Sequence, residues 1–286
     1  MQTLDGKLVA AKIKNEVKEQ ITQNGYKIKL TVILIGDDPA SSIYVNSKAK
    51  TCSKLHIDSE IIKKPADTSE EELLRIITRL NNDNTVDGIL CQLPLPAHIN
   101  TENILEAVNP DKDVDCFNPY NIGKLYSGHP PVLPCTPAGI MEIFKHYNID
   151  IKGKSCVVVG RSNIVGKPLA QLLLARHGTV TICHSRTSDL KARTASADIV
   201  CSAIGKPGFI TGNDLKQGCI AVDVGMNRVP DSSREKGYRL CGDFDFESAS
   251  RKAAWITPVP GGVGPMTIAC LMQNVLTCHI NRSNKQ

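Results

Sequence analysis

An α/β fold of two lobes, the second Rossmann-like, is predicted from three observations. Short β-branched runs alternate with helical patterns along most of the chain, the sequence form of a parallel sheet covered by helices. The run Val157-Val158-Val159 enters Gly160 directly and a helix start follows, which is how a Rossmann-like sheet begins. The length, 286 residues, exceeds what one simple core requires, so two lobes are expected.

Val9, Ile13, Val17 and Ile21 recur every four residues, giving one apolar stripe on a Lys/Glu-rich first helix. Residues 30–35 read as a strand ended by Gly36. Asp37 and Asp38 then offer an N-cap, Pro39 suits the first helical position, and a helix can run to about Leu55. A strand over 57–62, a helix over 69–80 and a strand over 86–91 complete the first lobe. Residues 94–137 are rich in Pro and Asn, with one short helix near 102–108. A linking helix over 136–147 opens the second lobe, with strands at 154–159, 179–183, 199–203 and 220–224 and a helix over 164–176. The last pattern, 266–280, is a helix started by Pro265 and expected to pack back on the first lobe. The expected domains are 1–138 together with 265–282, and 139–264.

Hydrophobic residues at 41% and charged residues at 22% are ordinary globular values and exclude a disordered chain. The longest apolar runs fall far short of the ~18 residues a membrane span needs. The N-terminus has no secretory apolar region and carries Asp5, Glu16 and Glu19 without an early arginine, so a cytoplasmic protein is expected. Eleven cysteines suggest disulfides or zinc. The number is odd, however, and the nearest pair, Cys270 and Cys278, is eight residues apart. With no C-x-x-C, reduced buried thiols and no metal site are expected. A net charge of +5 is too mild for a nucleic-acid track but suits a small anionic ligand.

The segment Gly160-Arg161-Ser162-Asn163-Ile164-Val165-Gly166 follows a strand and starts a helix, where free N–H groups can hold a pyrophosphate. It is not a Walker A loop: five residues separate the glycines, and Pro168 stands where Ser or Thr should bind magnesium. A glycine-ended strand without a ligand is the plain alternative. In such folds an acid after the second strand accepts the ribose 2′-OH of NAD. Here that place reads His184-Ser185-Arg186-Thr187, with no acid. A hydroxyl and a guanidinium suit a 2′-phosphate, with Arg161 adding charge, so NADP is preferred over NAD.

Tyr44 and Lys48 share one face of the helix after the first parallel strand. Such a pair can join an aromatic platform to a proton carrier, provided the lysine is desolvated or set near positive charge. On this pair alone, an exposed lysine beside a half-buried tyrosine is the plainer alternative. Gln92 strengthens the functional reading: it sits at the carboxyl end of a buried strand, the edge where open α/β sheets bind ligands. Asp111-Lys112-Asp113-Val114-Asp115 fails as a calcium loop, because the sixth position is Cys116 and the twelfth is Ile122. A carboxylate that reads ligand N–H groups is the better functional idea; a solvated acidic turn is the alternative. Pro260, Gly261 and Gly262 precede the last helix, where glycines let the backbone approach a flat ligand or simply punctuate the loop.

Together these segments resemble the bifunctional methylenetetrahydrofolate dehydrogenase/methenyltetrahydrofolate cyclohydrolase family. The matching pieces, in family order, are Tyr44-x-x-x-Lys48, Gln92-Leu-Pro-Leu-Pro96, Lys112-Asp-Val-Asp115, Pro134-Cys-Thr-Pro137, Gly160-Arg-Ser-x-Ile-Val-Gly166 and Pro258-Val-Pro-Gly-Gly-Val-Gly-Pro-Met-Thr267. The resemblance implies that tetrahydrofolate one-carbon derivatives are the substrates and that the protein is a homodimer. It makes Lys48 the proton-transfer residue, Gln92 its orienting partner, Tyr44 the stacking ring and Asp115 the pterin contact. It places Gly160, Arg161, Ser162, Ser185 and Met226 along NADP. One departure stands out: the family usually has glycine where this chain has Cys116. If that position needs φ > 0, cysteine costs on the order of 1 kcal/mol and can displace Asp115. The nearest rival is a dehydrogenase that has lost the hydrolase step, and a non-catalytic nucleotide-binding regulator is the rival from another class. The regulator would have no use for Tyr44, Lys48, Gln92 and Asp115 together.

Overall fold

The computed structural model describes residues 1–235 and 237–285. Strand β1 (Gln2–Thr3) leads into α1 (Gly6–Asn24), whose Val9, Ile13, Val17 and Ile21 are all buried, as the four-residue stripe requires. β2 (Ile28–Ile35) is flanked on both sides by parallel strands, β3 (Ile57–Lys64) and β4 (Gly88–Cys91), in the order β3-β2-β4. A central strand covered on both faces is mostly apolar, and β2 buries all but Lys29, Thr31 included. Between these strands lie α2 (Pro39–Lys54) and α3 (Glu70–Asn82). Ser69 caps α3, its Oγ accepting from the N–H of Glu72 at 3.2 Å, and Leu73, Ile76, Ile77 and Leu80 form the buried face.

After β4 come α4 (Thr101–Ala107) and α5 (Pro119–Tyr126). The sequence reading expects one helix across 94–137, and α5 corrects it. Asn118 caps α5 by accepting from Tyr120 N at 2.8 Å, with Pro119 in the first turn. The Pro and Asn that look like loop punctuation are therefore helix-start chemistry.

The chain continues through α6 (Cys135–His146), β5 (Ser155–Val159), α7 (Gly166–Ala175), β6 (Thr179–Cys183), α8 (Leu190–Ser196), β7 (Ile199–Ser202) and β8 (Ile220–Asp223). An antiparallel ribbon follows, β9 (Asn227–Pro230) with β10 (Tyr238–Cys241), then α9 (Phe246–Ser250), β11 (Trp255–Ile256) and α10 (Val263–Ser283). The larger sheet is parallel in the order β1-β11-β8-β7-β5-β6. The ribbon, α8, α9 and the two-residue strands β1 and β11 lack the length for a periodic signal and are absent from the sequence reading.

The chain divides into two compact units. One joins Met1–Ala11 to Thr136–Thr267; the other joins Lys12–Cys135 to the chain from Ile268 on. The first eleven residues thus cluster with the Rossmann-like sheet, because β1 pairs with β11. Most of α10 packs on the three-stranded lobe. By length and composition α10 could cross a membrane, yet it buries Ala269, Cys270, Leu271, Met272, Val275 and Leu276 as a core helix does.

Candidate active site

Asp38 fixes the start of α2: its Oδ2 accepts from Ser41 N at 2.7 Å, and Pro39 takes the first helical position. That start sets Tyr44, half-buried, and Lys48 one turn apart on one face. Lys48 is only 7% exposed, and its Nζ donates to Gln92 Oε1 at 2.9 Å. Gln92 follows the end of β4, and its Nε2 donates to the Leu93 carbonyl at 2.7 Å. This second bond decides which way the amide faces. A carbonyl can receive only from the NH2 group, so the amide oxygen is left to hold the lysine.

The Lys-Asp-Val-Asp segment splits into three separate tasks. Lys112 turns away, donating to the carbonyls of Leu80 at 2.8 Å and Asp83 at 2.7 Å, and so closes the C-terminus of α3. Asp113 accepts from Asn118 N at 2.9 Å, Phe117 N at 3.2 Å and Asn121 Nδ2 at 2.9 Å, while burial pushes its carboxyl up to about 6. Asp115 alone stands with Lys48. Burial raises its pKa, and the Lys48 ammonium and the Cys135 thiol, 3.6 Å from Oδ1, act against that rise. A solvated acidic turn is excluded, since Lys112 and Asp113 are both buried.

Cys116 has φ 58°, so the position does require the left-handed region. Its side chain is fully buried, with Sγ 3.3 Å from the Val132 carbonyl. The strain and the burial therefore oppose each other, and glycine is not simply an improvement. Cys116→Gly is expected to change stability by less than about 1 kcal/mol, relieved backbone offsetting lost packing. Cys116→Ala keeps the strain and loses the sulfur, so it should be less stable than the glycine variant by about 0.5–1 kcal/mol. Urea denaturation of the three proteins checks this order; an alanine variant as stable as the glycine variant would contradict it.

In the other unit, Gly160 has φ 127°, and a Cβ there would lie 2.6 Å from the Ala203 carbonyl oxygen. A Cβ on Gly166 would lie 2.2 Å from the carbonyl oxygen of Gly160, so the turn closes only with glycine at both places. Ser162 Oγ accepts from the N–H groups of Val165 and Gly166, both at 3.2 Å, and orders the start of α7. Arg161 and Ser162 are exposed at this turn.

β6 lies beside β5 in parallel register, Val159 opposite Cys183, so the loops after both strands leave the same edge of the sheet. The turn after β6 is held by His184, whose N–H donates to Thr187 Oγ1 at 2.8 Å and whose Nδ1 accepts from Arg186 N at 3.1 Å. Ser185 and Arg186 are exposed at its tip, and the next acid, Asp189, comes only where α8 begins. This donor set fits a phosphate better than a ribose hydroxyl. Met226 is 43% exposed just after β8. Pro260, Gly261 and Gly262 join β11 to α10: the Gly261 carbonyl accepts from Lys7 N at 3.1 Å, and a Cβ on Gly262 would lie 2.7 Å from the Pro258 oxygen. Packing alone requires glycine at 262.

Two features escape the sequence reading. Asn274, on α10, follows Gln273 in a largely apolar helix and is buried. Asp223 and Asp243 are buried together. Asp243 accepts from Ser202 Oγ at 3.0 Å, Ile204 N at 2.8 Å and Lys206 N at 2.9 Å, fixing the loop after β7. Asp223 accepts from the N–H groups of Asp243 at 2.8 Å, Phe244 at 2.9 Å and Gly225 at 3.0 Å, yet burial pushes it up to about 7. Asp223 carries the same signal as Gln92, a polar residue at the carboxyl end of a buried strand. Asp243 has no comparable signal.

Residues 4–115 match the family model of the tetrahydrofolate dehydrogenase/cyclohydrolase catalytic domain, and residues 134–283 match that family's NAD(P)-binding domain. The bifunctional protein FolD of Acetivibrio thermocellus is 52% identical over 278 residues, covering 96% of this chain and 95% of that protein. The crystal structure of the bifunctional FolD methylenetetrahydrofolate dehydrogenase/cyclohydrolase from Campylobacter jejuni has a TM-score of 0.94 and 47% identity, with 99% of each chain covered. The Trypanosoma brucei methylenetetrahydrofolate dehydrogenase-cyclohydrolase, solved with NADP and an inhibitor, has a TM-score of 0.93 and 38% identity, covering 99% of this chain and 98% of that one.

Proposed function

From the fact that this chain belongs to the tetrahydrofolate dehydrogenase/cyclohydrolase family, we infer how its own residues divide the work of two reactions. The protein oxidises 5,10-methylenetetrahydrofolate with NADP to the methenyl compound and hydrolyses that product to 10-formyltetrahydrofolate. The nicotinamide of bound NADP supplies the hydride acceptor; position and proton transfer are left to the protein.

The observation that carries the assignment of residues is the buried Lys48 amino group held by the Gln92 amide oxygen. Hydrolysis needs a proton to leave the attacking water and a proton to reach the ring nitrogen that departs. On a flexible stem, the free amine can accept the proton that leaves the water, and the ammonium so formed can deliver it to the departing nitrogen, if its resting place is fixed. Gln92 fixes it, being itself fixed by the Leu93 carbonyl. Tyr44 offers a ring one turn earlier on α2 for stacking, and Asp115 a carboxyl for the N–H groups of the pterin. Ser185 and Arg186, with Arg161, hold the 2′-phosphate, and the turn from Gly160 to Ser162 holds the pyrophosphate. Met226 would line NADP, and Pro260, Gly261 and Gly262 offer backbone to the substrate. The working form is a homodimer, a reading that rests on the family, and its expected compartment is the cytoplasm.

Gln92→Met tests the orienting role. It should lower cyclohydrolase kcat by roughly 10-fold to 100-fold, because a lost positioning bond costs about 1.5–3 kcal/mol when one partner is charged. NADP affinity should not change. Unaltered kcat in a folded variant would remove Gln92 from the mechanism.

A further inference from the structure

We propose that Asn274, on the C-terminal helix, is a positioning residue for Asp115 and so sets folate affinity from outside the site. The inference rests on the reading of Asp115 as the pterin contact. Asn274 is 7% exposed, and its Nδ2 donates to the Val114 carbonyl at 2.8 Å and to the Leu133 carbonyl at 2.7 Å. An amide NH2 has two hydrogens, so both are spent, on two segments distant in sequence. The Val114 carbonyl belongs to the peptide that enters Asp115. The Leu133 carbonyl belongs to the strand of chain that enters Pro134 and Cys135.

The same nitrogen lies 3.5 Å from Cys135 Sγ, and that sulfur lies 3.6 Å from both the Val114 carbonyl and Asp115 Oδ1. Burial holds the Cys135 thiol well above its usual range, so it remains an S–H able to donate to the carboxyl. On its other side Asp115 is followed by Cys116, fixed at φ 58° with its own sulfur against the Val132 carbonyl. The peptide before Asp115, the thiol beside its carboxyl and the turn after it are therefore all held, and Asn274 is the group common to the first two. Two carbonyls left without their donor in a buried place would draw apart or seek water, and either movement displaces Asp115.

Asn274→Leu keeps the number and branching of the side-chain heavy atoms and removes both donors. The expected result is a rise of tenfold or more in the KM for methylenetetrahydrofolate, with the KM for NADP within twofold of wild type. KM does not depend on the fraction of protein folded, so a role confined to stability would leave both values unchanged and overturn the proposal. If the leucine variant does not fold, Asn274→Gln, which keeps the donors but moves them outward, is measured in its place. It should raise folate KM at least threefold, and an unchanged value again overturns the proposal.

A double-mutant cycle with Asp115→Asn shows through which residue Asn274 acts. Asp115→Asn by itself should raise folate KM; if it does not, the pterin-contact reading fails. With that reading intact, the Asn274 effect should largely vanish in the Asp115→Asn background. Effects that simply multiply would show that Asn274 does not act through Asp115.

Discussion

Replacing Lys48 with methionine is expected to abolish hydrolysis of the methenyl compound while the fold and NADP binding survive. Methionine matches the length of the lysine stem but carries no proton and cannot donate to Gln92. Positioned acid–base groups contribute roughly 10²–10⁴-fold to rates, so cyclohydrolase turnover should fall by at least 10²-fold. The cost to stability is smaller. Gln92 Oε1 loses a partner in a half-buried place, worth about 1–3 kcal/mol against a typical total of about 5–15 kcal/mol. The hydride step moves no proton through Lys48 and should suffer less than hydrolysis. Cyclohydrolase turnover within a few-fold of wild type would remove Lys48 from its role.

The second large effect concerns the choice of cofactor. Changing Ser185→Asp together with Arg186→Ala should weaken NADP binding by tenfold or more relative to NAD. Each lost charge-assisted hydrogen bond is worth roughly 1.5–3 kcal/mol, and the new carboxylate also repels the 2′-phosphate. The turn should keep its shape, since Thr187 Oγ1 and His184 Nδ1 hold it through backbone N–H groups that both substitutions retain. Titration of both cofactors against both proteins gives the ratio. Equal loss for NADP and NAD would show that this turn does not read the phosphate.

Residues on long periodic elements were legible in the sequence, and those whose role depends on a partner far along the chain were not. Tyr44 and Lys48 could be placed because Asp38 and Pro39 announce the start of α2, and helical spacing does the rest. Gly160 and Gly166 could be placed because only glycine fits a turn so close to the Ala203 and Gly160 carbonyls. The positive φ at Cys116 was an expectation drawn from a departing glycine, and the backbone has it. What could not be read is that its sulfur fills a buried place, which offsets the simple benefit of glycine. Asn274 was hidden because its partners, Val114 and Leu133, lie more than a hundred residues before it. Lys112 and Asp113 were legible as a motif but not as structural groups. Their tasks, closing α3 and ordering the start of α5, exist only once those helices are packed. α5 itself was lost because its cap residues also serve in loops.

The most direct test of the account follows the methenyl intermediate by its absorbance after wild-type protein is mixed with methylenetetrahydrofolate and NADP, with the Lys48→Met variant in parallel. The wild type should show a rise followed by enzyme-driven decay, the variant a rise without that decay, and NAD in place of NADP a much slower rise. Decay at the same rate in both proteins, or a rise equally fast with either cofactor, would contradict it.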